Sequence, residues 1–222
     1  MNEIFLDIET TGLSFKENHK IVEIACIETQ DLVPTNKVFH KLINPKREVP
    51  KEAFMIHGHS TELLSKKDSF EKIADEFTKF IYGKKIIIHN APFDLGFINN
   101  ELSLLNKNKI EIKNVIDSLE LARSKYPGTS NSLDALCKKF NIDLSQRKKH
   151  NALLDCELLR EVYVNMLDVK EPKLTFINSS VNNLIKNDFE KVDHCKKIIN
   201  PTEVETLSHK DFLKKELKKN FY

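Results

Sequence analysis

The segment at residues 3–9 (EIFLDIE) alternates between two faces in a way that limits the folds open to the chain. Apolar side chains occupy its even positions, whereas Asp7 and Glu9 lie two residues apart and point from the other face of an extended strand. Strand positions beside apolar residues are partly buried, and two like charges there repel each other unless a cation lies between them. The pattern predicts a strand that carries either two acids on a solvated face or part of a cation site.

Similar patterning predicts one α/β domain that ends near residue 168. Early strands are followed by helices that alternate with further strands, which is typical of a sheet covered by helices. The predicted strands are 3–9, 21–29, 37–43, 86–88 and 112–117, and the predicted helices are 61–64, 69–82, 92–105, 119–125, 132–140 and 152–167. Beyond this domain, a capping-box pattern at 202–205 predicts a short helix over 202–219.

Composition and charge exclude several classes of protein. Five glycines are too dispersed for a dinucleotide-binding or P-loop motif, and four cysteines without C-x-x-C spacing predict neither a zinc site nor a disulfide framework. No apolar run approaches the ~18 residues of a membrane span. The first residues lack a secretory signal, so we expect a cytoplasmic protein without membrane contact. The formal net charge is only +2, none of it in residues 1–165, which excludes a grip on nucleic acid by charge alone.

Asp155 lies within the apolar stripe of the predicted helix 152–167. Leucine and valine follow it at +3, +4 and +7, so the carboxyl falls on the face that packs against the core. A lone buried carboxylate costs on the order of several kcal/mol unless it is paired or bound to a metal. His150 can reach the same place only from the loop before the helix, and a histidine in such a loop is more often a surface residue.

Asp94 follows the apolar strand 86–88 and lies in the first turn of the next predicted helix. Ligands of α/β folds bind at the carboxyl ends of parallel strands, although an acid in a first turn also suits the helix dipole. Four acids on three elements together predict a carboxylate cage, and oxygen ligands without a Cys or His cluster favour Mg²⁺ or Mn²⁺. Such a cage supports hydrolysis of a phosphodiester by two metal ions, with a nearby histidine to accept a proton.

Three segments resemble, in order, the three motifs of the DEDDh exonuclease family. They are DIETTGL at 7–13, HNAPFD at 89–94 and HNALLD at 150–155, and a histidine five residues before the last aspartate marks the DEDDh branch. The resemblance covers about residues 3–168. It implies a ribonuclease H-like fold, in which helices flank a mixed five-stranded sheet, and a metal-dependent 3′→5′ exonuclease that releases nucleoside 5′-monophosphates.

The resemblance also implies a role for each matched residue. Asp7, Glu9 and Asp155 would hold two divalent ions, Mg²⁺ or Mn²⁺. Asp94 would complete the cage, largely through water, and His150 would be the general base. The residues implied to contact the terminal nucleotide are Thr10, Thr11, Leu13, His57 and Phe93.

Two places leave the implied pattern uncertain. The segment 55–58 (MIHG) resembles the stretch that lines the nucleotide pocket, but His59 follows the glycine where the family has isoleucine. Arg147, Lys148 and Lys149 precede the third motif and fit either contact with the phosphate backbone or a solvated run of charge.

Within the family, the chain is most similar to the proofreading subunits of bacterial replicative polymerases. The likeness is carried by SLDALC at 132–137, the complete third motif and the C-terminal end. It implies an exonuclease domain at 1–168, a tether at 169–200 and a segment at 201–222 that docks on the polymerase catalytic subunit. KLTF at 173–176 lies where a family motif binds the sliding clamp but lacks its glutamine, so clamp binding and an apolar linker patch both stay open.

Three functions therefore stand side by side. The first is proofreading of single-stranded or frayed DNA 3′ ends. The second is a free-standing DEDDh exonuclease that trims RNA, because recognition of the 2′-hydroxyl cannot be inferred from these residues. The third is a non-catalytic subunit that stabilises the polymerase, against which the complete set of five polar site residues argues. The uncharged nuclease region favours a tethered enzyme, since a tether supplies effective concentration.

Overall fold

The computed structural model describes residues 2–145, 147, 149–167 and 201–216, which fall into two compact units, Met1–Lys173 and Leu174–Tyr222. The strands are β1 (Asn2–Thr10), β2 (Ile21–Gln30), β3 (Val33–Leu42), β4 (Lys85–Ile88) and β5 (Val115–Asp117). The helices of the first unit are α1 (Lys51–His57), α2 (Thr61–Ser65), α3 (Phe70–Ile81), α4 (Ala91–Leu104), α5 (Ser118–Lys125), α6 (Leu133–Phe140) and α7 (Ala152–Met166). The second unit contributes α8 (Glu203–Glu216).

The five strands form one sheet in the order β3-β2-β1-β4-β5. Strand β1 pairs antiparallel with β2 and parallel with β4, while β2 pairs antiparallel with β3 and β4 parallel with β5. The mixed five-stranded α/β sheet implied by the family resemblance is therefore confirmed. Because β1 and β4 run parallel, their carboxyl ends lie at the same edge of the sheet.

Strand β1 is buried on both faces, which explains its composition. Ile4, Leu6 and Ile8 belong to the core that packs against α3 and α4. Phe5 belongs to the second core, with α6 and α7, and meets Tyr163 edge-on at 5.8 Å between ring centroids. Asp7 and Glu9 continue the face of Phe5, so they lie beneath a helix rather than on the solvated face that the sequence left open.

Three elements differ from the prediction: two have other bounds, and the helix α1 was not predicted. Strand β3 begins at Val33 rather than at 37, because a two-residue turn at Asp31 and Leu32, both with positive φ, joins it directly to β2. That turn lacks the glycine that normally announces a hairpin. The segment 112–114 is a 3₁₀ turn, and only its continuation is strand. Helix α1 was not predicted, since among its seven residues only Ala53 and His57 are buried.

The capping box predicted for the C-terminal helix is present at the start of α8. The Thr202 backbone N–H donates to Glu205 Oε2 (2.8 Å), and the Glu205 N–H donates to Thr202 Oγ1 (3.3 Å). The predicted tether at 169–200 and the candidate clamp-binding segment at 173–176 lie outside the described residues. Among the helices of the described ranges, none combines the length and the apolar character needed to cross a bilayer.

Candidate active site

A cleft of about 870 Å³ lies at the carboxyl ends of β1 and β4 and brings together the five residues predicted to be catalytic. Strand β1 supplies Asp7 and Glu9, helix α4 supplies Asp94, helix α7 supplies Asp155, and the loop before α7 supplies His150. Other lining residues were not assigned from the sequence, and they include Arg123, Asn131, Asp134 and Arg147.

Asp7 and Glu9 are held in a setting that disfavours their ionised forms. Burial, and then the carboxylates of Asp94 and Asp155, raise the pKa of Asp7 well above its usual range. Burial raises the pKa of Glu9 to about 7, although the neighbouring His150 acts in the opposite direction. Both strand acids therefore lack enough cationic partners in the protein alone.

Asp94 is positioned by the turn between β4 and α4. Asn90 has a φ of 71°, a left-handed conformation that ends the strand and starts the helix. Asp117, at the end of β5, accepts hydrogen bonds from the backbone N–H groups of Asn90 (3.1 Å) and Ala91 (3.2 Å) and so holds this turn. The Asp94 carboxyl is buried, and burial raises its pKa well above the usual range despite a backbone hydrogen bond from Ile8.

Asp155 differs from the other three acids because it has a strong cationic partner. Arg147 donates from Nε to Asp155 Oδ1 and from Nη2 to Oδ2, both at 2.7 Å. His150 Nδ1 lies 3.4 Å from Oδ2. Burial alone would raise the pKa of Asp155, but the hydrogen bonds from His150 and Arg147 outweigh it and lower the pKa. Asp155 is thus an ionised carboxylate although it is only 3% exposed.

His150 lies at the mouth of the cleft, where its side chain is half exposed. Its backbone N–H donates to the carbonyl of Ile56 (3.2 Å), which ties the loop before α7 to helix α1. The hydrogen bond with Asp155 raises the pKa of the imidazole. An exposed ring beside buried carboxylates can exchange protons with water at the site.

A buried carboxylate that the sequence analysis missed, Glu23, lies directly behind the site. It is fully buried and is the register partner of Glu9 across the β1–β2 ladder. Its oxygens are 2.7 Å from His40 Nε2 and 2.8 Å from His59 Nε2, and it accepts a 3.0 Å hydrogen bond from Asn151. The sequence signal that could have identified Glu23 is an acid inside the apolar run IVEIACI (21–27). Asp155 was identified in the same way, from its place in an apolar helical stripe.

Two consequences follow from this Glu23 network. His59, which departs from the family pattern, is turned inward to Glu23 and stacks on His57 with ring centroids 5.0 Å apart. Gly58 makes that turn possible, because it ends α1 at a φ of 79°. The network also fixes the start of α7, since Asn151 is the N-cap that accepts from the Leu154 N–H.

The residues predicted to contact the terminal nucleotide are not gathered in one place. Phe93 lines the cleft and packs on Phe97 at 5.1 Å between ring centroids. Leu13 is 86% exposed outside the cleft, and its side chain is free to meet a bound molecule. His57 is buried in its stack on the neighbouring histidine rather than exposed to the cleft.

The two threonines of the first motif make hydrogen bonds within their own loop. Thr10 Oγ1 donates to the carbonyl of Gly12 (2.6 Å). Thr11 Oγ1 accepts from the Lys20 N–H (3.0 Å) and lies 3.1 Å from His19 Nδ1. Their side chains therefore shape the loop, and their predicted contact with the terminal nucleotide stays a prediction.

The described residues of the basic run before the third motif have different surroundings. Arg147 turns into the cleft, where its side chain is only 8% exposed. Lys149 lies over the ring of Phe54, with Nζ 5.0 Å from the centroid, and Lys148 is outside the described residues. The run is therefore neither uniformly solvated nor uniformly available to a phosphate backbone.

The donor set of the cleft fits a hard divalent cation. One ligand atom each from Glu9, His150 and Asp155 lie within 4.8 Å of one another. The partly buried Asp7 and the buried Asp94 add carboxylates to the same cleft, and an oxygen-rich set of this kind suits Mg²⁺ or Mn²⁺ better than a thiolate metal. Like charges that are buried together also gain most from a cation between them.

Comparison with known proteins agrees with this geometry. The family model described as Exonuclease matches residues 4–163. The DNA polymerase III subunit epsilon of Rickettsia conorii is 46% identical over 224 residues, which cover 98% of this chain and 97% of the relative.

Two solved structures share the fold at low identity. The nuclease domain of 3′hExo, a DEDDh family member bound to rAMP, has a TM-score of 0.65 at 15% identity, covering 75% of this chain and 92% of that one. The zinc-bound form of Escherichia coli ExoI with single-stranded DNA has a TM-score of 0.67 at 17% identity, covering 78% and 41%. The family model and the sequence relatives show that the chain belongs to the exonuclease family, and within it to the epsilon subunits of bacterial DNA polymerase III.

Proposed function

We propose that this 3′→5′ exonuclease edits DNA 3′ ends as the proofreading subunit of a replicative polymerase, with two divalent ions, Mg²⁺ or Mn²⁺, bound in the cleft. The observation that carries the proposal is that Asp7, Glu9, Asp94 and Asp155 line one cleft, with Asp7 partly buried and the other three buried. Three of these carboxyls have raised pKa values, so the protein alone does not neutralise them. A purely structural subunit would gain nothing from this arrangement, because buried like charges destabilise a fold.

Each acid has a distinct part in the proposed site. Asp7, Glu9 and Asp155 would hold the ions directly, and the charges of Asp94, Asp155 and Glu9 all act on Asp7. Asp94 is fixed by its turn and contributes largely through water. When bound, the ions supply a water of lowered pKa and a charge that stabilises the leaving oxygen.

His150 is the proposed proton acceptor. In the protein alone, its pKa is raised by the hydrogen bond with Asp155. Once the Asp155 charge is neutralised, that stabilisation of the imidazolium is lost and the pKa falls towards its ordinary value. A neutral imidazole at the cleft mouth can then take a proton from water near pH 7.

The substrate proposed is a single-stranded or frayed DNA 3′ end. Phe93 offers an apolar face inside the cleft that suits an unstacked base, and the Leu13 side chain is exposed to solvent. Mispaired ends fray more easily than paired ends, so they reach the cleft at a lower cost. The residues 1–165 carry no net charge, which suits an enzyme delivered to DNA by a partner rather than by its own charge.

The partner is proposed to be the polymerase catalytic subunit, bound through residues 201–222. Helix α8 carries three well-exposed apolar side chains, Val204 (72%), Leu207 (64%) and Phe212 (57%). These positions lie within about 140° of one another around a helix at 100° per residue, and such a stripe is typical of a helix that buries itself in a partner. The exonuclease domain of this arrangement is residues 1–168, with 169–200 as the tether.

The test compares single-turnover degradation of three oligonucleotides of matched sequence with Mg²⁺: a mispaired DNA primer end, a paired DNA primer end and a single-stranded RNA. We expect the mispaired DNA end to be degraded fastest. Faster degradation of the RNA would favour a free-standing RNA-trimming nuclease. Absence of degradation of all three, with polymerase association intact, would favour the non-catalytic subunit.

A further inference from the structure

Arg147 occupies the position in the cleft where a cation would be expected. Its guanidinium is bidentate on the two oxygens of Asp155, it also donates from Nη1 to Asp134, and its Nη2 lies 3.0 Å from His150 Nδ1. The side chain is 8% exposed, and hence it is enclosed by the acids rather than lying on the surface. Bidentate guanidinium–carboxylate pairs are among the stronger ion pairs in proteins.

This pairing conflicts with the proposed role of Asp155. The guanidinium takes one lone pair on each oxygen of that carboxylate and His150 lies 3.4 Å from Oδ2, so fewer lone pairs are left for a metal ion. A positive guanidinium and a divalent ion on the same buried carboxylate would also repel each other. The guanidinium and the ion therefore compete for Asp155.

We propose that Arg147 is an internal counter-cation that holds Asp155 in the metal-free protein and leaves it when metal binds, staying attached to Asp134. The inference rests on the proposed metal site. Asp134 suits the second position because it lies on α6 at the cleft, is half exposed, and already accepts from the guanidinium. The charge of Arg147 thus remains in the cleft in both states, while the carboxylate it neutralises changes.

The ion pair between Arg147 and Asp155 stabilises the folded cleft when no metal ion is bound. Asp155 is paired with the bidentate guanidinium, whereas Asp7, Glu9 and Asp94 line the cleft beside it without such a pair among the described residues. Without Arg147, a fourth carboxylate would join the group that has no partner. The guanidinium therefore stabilises the protein when no ion is bound, and by linkage it must weaken metal binding, because a group that favours the free state disfavours the bound one.

The experiment uses the full chain without DNA and compares wild type with Arg147→Met, which keeps the length of the side chain but removes its charge. Mn²⁺ affinity is measured by electron paramagnetic resonance, and the unfolding midpoint is measured in EDTA and in saturating Mg²⁺. We expect Arg147→Met to bind Mn²⁺ about tenfold more tightly or better, from the loss of a competing charged hydrogen-bond pair. We also expect its midpoint in EDTA to fall by roughly 2–4 °C and the deficit to shrink in Mg²⁺.

A merely structural salt bridge would give the opposite result. The midpoint deficit would then be the same in EDTA and Mg²⁺, and Mn²⁺ binding would be unchanged or weaker, which overturns the inference. Arg160→Met is the matched control, at a partly buried arginine of α7 that pairs with Glu161 and does not line the cleft. It should leave Mn²⁺ affinity unchanged, and any deficit in its midpoint should be equal in EDTA and in Mg²⁺. If Arg147→Met does not fold, Arg147→Lys, which keeps the charge but cannot be bidentate, should still bind Mn²⁺ more tightly than wild type, and unchanged or weaker binding overturns the inference.

The same measurements separate this inference from the proposed function. Wild-type protein that binds no Mn²⁺ at millimolar concentration would remove the metal site itself, and the inference with it. Wild-type protein whose Mn²⁺ site is lost in Asp7→Asn, but whose affinity is not increased by Arg147→Met, would leave the metal site standing and remove only the role of Arg147.

Discussion

Glu9 and Glu23 are register partners across the β1–β2 ladder, yet their carboxyl pKa values are displaced in opposite directions, to about 7 and to about 2. Burial raises both. Glu23 is compensated by hydrogen bonds from His40 and His59, whereas Glu9 faces the other acids of the cleft with insufficient compensation. The protein therefore supplies hydrogen-bond partners for the Glu23 carboxylate, whereas the charge of the Glu9 carboxylate is left for a metal ion to compensate.

Replacing Glu23 by Gln should lower both stability and activity. Removing the charge of a buried carboxylate that is hydrogen-bonded to two histidines costs about 3 kcal/mol of folding free energy. The change also weakens the hydrogen bond that holds Asn151, the N-cap of α7. We expect the free energy of unfolding at pH 7, measured in urea, to fall by that order, and kcat to fall with it. Glu28→Gln is the matched control, since Glu28 is also buried on β2 and paired with Lys84. It should lower stability but leave kcat unchanged.

The pH dependence of this stabilisation has a definite sign. The folded pKa of Glu23 lies below its ordinary value of 4.5, so its stabilising contribution is complete above pH 4.5 and is lost as the pH falls towards 2. The difference in unfolding free energy between wild type and Glu23→Gln should therefore shrink between pH 5 and pH 3. A difference that stays constant over this interval would show that the charge of Glu23 is unimportant.

Glu9 should give the opposite pH dependence in metal-free protein. Its pKa rises on folding from 4.5 to about 7, so ionisation costs stability, and the cost grows as the pH rises through this window. Relative to Glu9→Gln, wild type in EDTA should lose up to about 3 kcal/mol between pH 4.5 and pH 8. Parallel stability curves for the two proteins would contradict the assignment.

Asp7→Asn should separate stability from activity. The substitution removes one of several mutually repelling carboxyls, so the unfolding midpoint in EDTA should be unchanged or higher. The same change removes a proposed metal ligand, and a loss of several kcal/mol of transition-state stabilisation lowers kcat on the order of 10³-fold. The result that contradicts the site is a Mg²⁺-dependent rate within tenfold of wild type.

His150→Gln should reduce the rate without removing the metal. Loss of a general base costs about 10²–10⁴ in kcat, whereas the oxygen ligands of the cage remain. Mn²⁺ affinity should therefore stay close to that of wild type, and the acidic limb of the pH–rate profile should disappear. If Mn²⁺ binding is lost together with the rate, His150 is a ligand rather than a base.

The exposed stripe of α8 should carry polymerase binding. Leu207→Asp combined with Phe212→Asp places two charges on apolar side chains that a partner would bury, and we expect co-purification with the polymerase catalytic subunit to fall about tenfold or more. Exonuclease activity on short single-stranded DNA should not change. Lys210→Asp, an exposed position off the stripe, controls for added negative charge, and equal loss with this variant would point to charge rather than docking.

Local patterns were sufficient to predict the sheet and the acidic residues of the cleft. The alternation around Asp7 and Glu9, the apolar run before Asp94 and the helical stripe around Asp155 each follow from periodicity within a few residues. The mixed five-stranded character of the sheet was implied by the resemblance of three motifs, and the order of the strands was not predicted, because periodicity alone does not determine pairing.

The partners of those acids could not be predicted in the same way. Arg147 lies eight residues before Asp155 in a loop, and nothing in a basic run shows which side chain turns inward. The histidines that neutralise Glu23 come from β3 and from the turn after α1, and such contacts depend on tertiary structure. Helix α1 escaped detection because it buries too few side chains to produce a periodic signal.

Strand β1 carries two of the site's acids in the middle of the sheet, paired with β2 along its length and covered on both faces. The backbone amides of such a strand exchange with solvent only through global opening. The catalytic cleft therefore has no low-energy route to local melting at this strand. A molecule in which this strand opens, so that the geometry of Asp7 and Glu9 is lost, therefore unfolds as a whole. Folded but inactive copies, which could occupy a polymerase, are consequently rare.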